Sequence, residues 1–195
     1  MNKNLDYYNN NAEQFFEQTY QVDMHSLYQQ FLEHVPQGGS ILDLGCGSGR
    51  DALAFKNMGY RIEATDYSSE LVEKARKLTG LNVRLESFYE LSETNKYHGI
   101  WACASLLHCQ REQLSSVIKR MLNALKSAGV IYMSFKYGAD DREAAGRSFT
   151  DLDDTQAEAL LEQFDNVTLI RQWITFDQRP DRSEQWLNVL IKKLD

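Results

Sequence analysis

Residues 41–51, ILDLGCGSGRD, constrain the chain more than any other stretch. Ile41, Leu42 and Leu44 make a short apolar run of the buried-strand type. Gly45, Gly47 and Gly49 then remove side chains at alternate positions just where the chain must turn. Glycine accepts positive φ and lets a ligand or a neighbouring backbone come close. In an open parallel sheet a loop of this kind lies beyond the carboxyl end of its strand, where such sheets bind ligands. The same glycines also suit a tight strand-to-helix turn with no ligand at all.

The rest of the chain has the alternation that such a sheet needs. Before the glycines, Phe15, Phe16, Tyr20, Leu27, Phe31, Leu32 and Val35 recur at helical spacing. From Ser40 onward strands and helices alternate. YRIEAT (60–65), NVRL (82–85), YHGIWACASLL (97–107) and GVIYMSF (129–135) contain strands. SSELVEKARKL is a helix capped by Ser68 or Ser69, and Leu114, Val117, Ile118, Met121, Leu122 and Leu125 mark one face of another. DLDDTQAEALLEQF is a further helix. NVTLIRQWITF and EQWLNVLIKKL are two strands joined by DQRPDRS, a hairpin loop. The pattern predicts an α/β domain with a mostly parallel sheet, helices on both faces and a closing antiparallel hairpin. With no repeat or low-complexity linker, the expectation is one domain.

Asp66, in ATDYS, stands at the end of the second strand, where a carboxylate can accept both hydroxyls of a ribose and repel a 2′-phosphate. It also suits a helix N-cap. A dinucleotide fingerprint would need its third glycine at position 50, which is Arg50, and no Gly-Lys-Ser/Thr is present. The ligand implied is a nucleoside without a diphosphate.

Charge narrows the partner. The net charge of −7 and the absence of a Lys/Arg cluster argue against a nucleic-acid backbone. Cys46, Cys103 and Cys109 are an odd number without metal-ligand spacing, so they read as small packed thiols in a reducing compartment, and no metal is expected. No stretch has signal-peptide or membrane-spanning character, which points to a cytoplasmic protein with no membrane partner.

ILDLGCGSGRD together with ATDYS resembles the class I S-adenosylmethionine-dependent methyltransferases. WACASLLH, SFKYG and RPDRSEQWLNVLIKK are similar to the small bacterial, tellurite-resistance-like members, a small-molecule methyltransferase subfamily, and the likeness runs from Tyr7 on. It implies a Rossmann-like, doubly wound, seven-stranded sheet within one domain, 1–195, with a helical lid over 1–39 and a catalytic core over 40–195. It implies S-adenosyl-L-methionine as methyl donor and a small-molecule acceptor. Asp43, Gly45, Cys46, Gly47, Gly49 and Arg50 would surround the methionine end, Asp66 would hold the ribose, and Tyr67 would flank the adenine. Where many relatives place an adenine-binding acid, this chain has Ser87, with Phe88 beside it. Ala104 and Ser105 would border the sulfur, and Tyr20 in the lid would face the cofactor.

His108 and Tyr137, after the fourth and fifth strands, are the candidate catalytic residues. Imidazole titrates near neutrality and suits a general base. His108 equally suits a hydrogen-bonded support. Arg142, Arg147, Arg179 and Arg182 read either as scattered surface charges or as the grip on an anionic acceptor. The rival readings are an RNA or protein methyltransferase and a non-catalytic S-adenosylmethionine-binding module.

Overall fold

Three apolar residues in four fix the first strand of the sheet. In the computed structural model, which describes residues 3–179 and 182–194, β1 (Ser40–Leu44) is buried on both faces, with Ile41, Leu42 and Leu44 all 1% exposed or less. Successive side chains of a strand point to opposite faces. Ile41 accordingly joins Phe31, Phe55 and Trp101 on one side, and Leu42 and Leu44 join Ile118, Met121 and Leu122 on the other. Both faces are therefore covered by helices, as a parallel sheet requires.

The chain continues through α4 (Arg50–Asn57), β2 (Arg61–Asp66), α5 (Ser69–Thr79), β3 (Arg84–Leu85), β4 (Tyr97–Ala102), α6 (Leu114–Ala124) and β5 (Leu125–Lys136). A two-stranded excursion follows, β6 (Asp141–Ala144) and β7 (Arg147–Thr150), and then α7 (Asp154–Leu161), β8 (Val167–Phe176) and β9 (Gln185–Lys193). The seven-stranded sheet has the order β3-β2-β1-β4-β5-β9-β8. Strands β1 to β5 are parallel, and β9 runs antiparallel to both β5 and β8. The order reverses between β1 and β4, so a crevice opens at their carboxyl ends, where the glycine loop emerges.

Local chemistry sets the helix ends. Ser68 Oγ accepts from Leu71 N, and Gly80 closes α5 in the left-handed region at φ 65°. Asp153 and Gln156 form a reciprocal capping box on α7.

Three features differ from the sequence expectation. The β6–β7 hairpin has no counterpart in the sequence pattern. Its turn, Ala145–Gly146, takes positive φ at both residues (50° and 76°), a conformation usually announced by Asn-Gly or Asp-Gly. The fifth strand begins at Leu125, earlier than residue 129. The N-terminal region is not one lid. α1 (Lys3–Asn10) and α2 (Ala12–Thr19) lie over the crevice, whereas α3 (His25–Leu32) buries Leu27, Tyr28 and Phe31 in the core against Trp101. Met1 and Asn2 of the expected lid, and Pro180 and Asp181 of the hairpin loop, lie outside the described residues. Among the described residues no helix is long and apolar enough to cross a membrane.

Candidate ligand cleft and adjoining cavity

The glycine loop is stitched to the end of β2. Gly45 N and Cys46 N both donate to Thr65 O, at 2.9 and 2.8 Å, and Gly47 N donates to Asp66 Oδ2 at 2.8 Å. Gly49 N donates to Cys46 O. These amides are spent inside the protein, so the loop does not offer the array of free N–H groups that cradles a diphosphate. At Gly45 (φ 77°) a Cβ would sit 2.5 Å from Ser105 Cβ, and at Gly47 (φ 55°) one would sit 3.0 Å from the Phe15 ring. Both positions need bare backbone because other elements close on them. Gly49 differs: its absent side chain makes room for Ala75 and Thr79 of α5, so it serves helix packing and does not line the cleft.

Three acids and a guanidinium organise the floor. Asp66 accepts from Ser68 N through one oxygen and from Gly47 N through the other, leaving each oxygen a free lone pair. Burial raises its pKa, and the amides of Ser68, Gly47 and Tyr67 oppose the rise. Asp43 is buried beneath the loop, and burial, then the neighbouring Asp51, push its carboxyl well up. Its Oδ2 has no partner within the protein. Asp51 takes two hydrogen bonds from Arg50 (Nε–Oδ1 2.6 Å, Nη2–Oδ2 3.0 Å), one from Tyr28 Oη at 2.6 Å and one from Trp101 Nε1 at 2.8 Å. Burial alone would raise Asp51, but Arg50 and these donors outweigh it and hold the group below the usual carboxylate range. Arg50 is thereby locked at the mouth of the loop with Nη1 left over.

Two cavities meet here. One, of about 650 Å³, is bordered by Asp66, Tyr67, Ser87, Phe88, Tyr89 and Ser105. Ser105 Oγ is buried there without a partner. The other, of about 420 Å³, runs from Cys46, Ser48 and Arg50 past Tyr132 to Lys136, Arg147 and Trp186. They share Tyr8, Phe15, Gly45, Gly47, Ala104 and His108. Ala104 reaches both because the chain kinks after β4: its φ is 52°, and its amide donates to Ser134 Oγ at 2.8 Å.

His108 and Tyr8 stand at the junction. His108 Nδ1 lies 3.0 Å from Ser148 O, an obligate acceptor, so that nitrogen carries the proton. In the neutral ring Nε2 then accepts from Tyr8 Oη at 2.7 Å. Burial lowers His108 to about 4, with Arg147 and Lys136 adding to the effect and Ser148 O opposing it. The Tyr8 phenol is raised by burial, with Arg147 opposing. α1 is strapped down at both ends of this pair. Asn4 exchanges two hydrogen bonds with the Ser148 backbone, Asn9 Oδ1 accepts from Ser68 Oγ, and Lys3 pairs with Glu143.

Most of the residues singled out in the sequence gather at this junction. Gly45, Cys46, Gly47, Arg50, Asp66, Tyr67, Ser87, Phe88, Ala104, Ser105 and His108 all border one or both cavities. Two do not. Tyr137 is exposed and donates to Asp154 Oδ2 at 2.8 Å; strand alternation turns Ser134 and Lys136 inward instead. Tyr20 stacks on Phe16, away from the crevice, and Tyr8 and Phe15 hold the lid positions facing it. Burial pushes the Cys46 thiol up, Cys103 to about 12 and Cys109 to about 11, so none is an activated nucleophile. Only the aromatic density of YYNNNAEQFF points to Tyr8 in the sequence.

Residues 41–129 match a family described as a methyltransferase domain. (S)-Coclaurine N-methyltransferase of Papaver somniferum is 25% identical over 89% of this chain and 55% of its own length. A probable S-adenosyl-L-methionine-dependent methyltransferase, TehB, of Haemophilus influenzae is 25% identical over 52% of this chain and 37% of its own length. The chain spans about half or less of these curated relatives. Among solved structures, the Burkholderia thailandensis 1,6-didemethyltoxoflavin-N1-methyltransferase, crystallised with 1,6-didemethyltoxoflavin and S-adenosylhomocysteine, superposes with a TM-score of 0.77 at 20% identity, covering 97% of this chain and 85% of that one. Magnesium protoporphyrin IX methyltransferase from Synechocystis, with S-adenosylhomocysteine bound, gives a TM-score of 0.74 at 15% identity over 97% of each chain. At such identities the likeness is one of fold.

Proposed function

We propose that this class I methyltransferase domain binds S-adenosylmethionine in the Asp66 cleft and transfers its methyl group to a small molecule in the adjoining cavity. The observation that carries this reading is the shared wall: two cavities of different chemistry touch at Gly45, Gly47 and Ala104, at the switch point of the sheet.

The residues fit such a donor. Asp66 has lone pairs free for the ribose hydroxyls, Tyr67 and Phe88 offer rings for the adenine, and Ser87 and the unpartnered Ser105 hydroxyl face the same cleft. Arg50, fixed by Asp51, would take the carboxylate beside Cys46 and Gly47, above the buried Asp43. When bound, S-adenosylmethionine supplies a methyl group on a sulfonium: the acceptor's electron pair bonds the methyl carbon as the carbon–sulfur pair returns to a neutral thioether. The protein's part is alignment and removal of water. Tyr8, Phe15 and His108 roof the junction, and the Tyr8–His108 hydrogen bond holds that roof in place. Ala104, presented to both sides by its positive φ, fits between donor and acceptor.

An acceptor of small size suits a cavity of about 420 Å³ beneath α1, α2 and the hairpin. A negatively charged acceptor suits its arginines and lysine. Calorimetry with S-adenosylhomocysteine and with NAD, followed by S-adenosylhomocysteine release against small thiols, phenols, amines and oxyanions, tests the reading. Binding of the sulfur nucleoside and not NAD, with turnover of one acceptor class, is expected. NAD binding alone would refute it.

A further inference from the structure

We propose that Arg147, carried by the β6–β7 hairpin, selects the acceptor: the adjoining cavity takes a planar organic acid, bound as its anion and methylated without a protein base. This rests on the methyl-transfer reading above.

The first support is charge that is unspent. The cavity is lined by Arg50, Lys136, Arg147, Arg179 and Arg182 against the carboxylates Asp51 and Asp177, a positive surface inside a chain of net charge −7. Most of these cations are already matched. Arg50 is locked to Asp51, Arg179 to Asp177, and Lys136 and Arg182 pair with the half-exposed Glu184. No carboxylate among the described residues pairs with Arg147, and its Nε is buried with no hydrogen-bond partner. The half-buried guanidinium lends a hydrogen bond to Tyr8 and keeps a buried, unpartnered Nε–H, a donor that matches a carboxylate, phenolate or similar oxyanion.

The second support is shape. Arg147 lies among rings, its Cζ 4.3 Å from the Tyr7 centroid and 5.0 Å from that of Phe149. Lys136 Nζ stands 5.8 Å from the Phe149 ring and 5.6 Å from that of Trp186. Cations spaced along aromatic faces suit a flat ligand that carries charge at its edge.

The third support is what the junction lacks. Its two proton-bearing side chains already bond to each other, Tyr8 Oη to His108 Nε2, and the other His108 nitrogen is committed to Ser148 O. Burial places His108 near 4 and raises Tyr8, so neither group is poised to take a proton near neutrality. An acceptor that has already lost its proton to solvent, its ionisation favoured by Arg147, needs none.

The test uses the full chain loaded with S-adenosylhomocysteine. 4-Nitrophenol, yellow only as the phenolate, is added just below its ionisation midpoint. Benzoate with benzamide, and 2-naphthoate with 2-naphthamide, are titrated by calorimetry as isosteric charged and neutral pairs. Expected are a rise in phenolate absorbance and acids bound about tenfold or more tighter than their amides, the worth of one charge-assisted contact. Arg147→Gln should lose both effects with its S-adenosylhomocysteine affinity unchanged. Arg147→Lys should keep part of the preference, and does so even if the glutamine variant fails to fold. Arg171→Gln, an arginine outside the cavity, should change neither. Acids that bind no better than amides, or a preference that survives Arg147→Gln, would overturn the proposal. Loss of S-adenosylhomocysteine binding in the unaltered chain would instead strike the methyl-transfer reading itself.

Discussion

The two cavities differ in how they are made. The Asp66 cleft is built from consecutive stretches: a strand, its glycine turn and the end of the next strand, joined by backbone hydrogen bonds such as Gly45 N and Cys46 N to Thr65 O. The adjoining cavity, the proposed acceptor site, is assembled from α1, α2, the β6–β7 hairpin and the β8–β9 end of the sheet, and its walls are long side chains. The first is rigid because β1 lies in the middle of the sheet. The second depends on loops and short helices laid over the sheet's end, including α1, none of whose residues is fully buried. A donor common to many enzymes suits the rigid half, and an acceptor particular to one suits the half that loops can vary.

The sharpest way to break this contrast is at Asp66. Its carboxylate both ties Gly47 to Ser68 and, in the proposed complex, takes two ribose hydroxyls. Charge-assisted hydrogen bonds contribute about 1.5–3 kcal/mol each, so Asp66→Ala should weaken S-adenosylhomocysteine binding by about 100-fold or more. Calorimetry on a variant whose melting temperature is checked gives the answer. An unchanged affinity would reduce Asp66 to a brace for the loop and remove the difference between the halves.

His108 offers a test on the softer side, through pH. Its folded value of about 4 lies below the ordinary 6.5, so the unfolded chain binds the proton more readily. Stability from the neutral ring is complete above about pH 6.5 and is lost as pH falls towards 4, by at most about 3 kcal/mol. Asp43 and Asp66, whose values are raised, push the other way on acidification, so the comparison must be with His108→Asn. The difference in unfolding free energy between the two proteins should narrow between pH 6.5 and 4. A difference that stays constant over that range would mean that His108 is solvated and that the junction is open.

These experiments fall where the sequence was more and less informative. The glycine turn, Asp66, the cap at Ser68 and the closing hairpin were legible because each is fixed by residues close in sequence. The acceptor side was not. Four arginines, 142, 147, 179 and 182, looked alike, and only the fold shows that Arg142 is spent on Asp151 while Arg147 is not. Their partners come from separate elements, and one of those elements, the β6–β7 hairpin, hides behind an Ala-Gly turn. The lid was half legible. Its aromatic density was plain, but which rings face the crevice depends on two short helices and the break between them.

Tyr8→Phe probes the lid at a smaller scale. It removes the hydroxyl that His108 Nε2 accepts and keeps the ring contacts with Tyr7 and Phe15. One neutral hydrogen bond nets about 1 kcal/mol, so α1 should open roughly fivefold more often. Amide exchange over residues 3–20 should speed up by that factor without S-adenosylhomocysteine and slow again with it, while exchange in β1 stays unchanged. Equal exchange in both proteins would make α1 ordinary packing held by Lys3, Asn4 and Asn9.

The smallest expected effect is the most discriminating about strand parity. Lys136 and Tyr137 are neighbours at the end of β5, and alternation sends Lys136 to the cavity and Tyr137 outward to Asp154. Tyr137→Phe removes one exposed hydrogen bond to a carboxylate that also accepts from Gln172. Such a loss at the surface costs within about 0.5 kcal/mol. Turnover, S-adenosylhomocysteine affinity and the acid preference of the cavity should all match the unaltered chain, whereas Lys136→Met should weaken acid binding while leaving the donor side intact. A Tyr137→Phe variant that folds normally yet loses turnover would show that this end of β5 turns over during the reaction and brings the tyrosine inward. The acceptor half would then be mobile in its strands as well as in its loops.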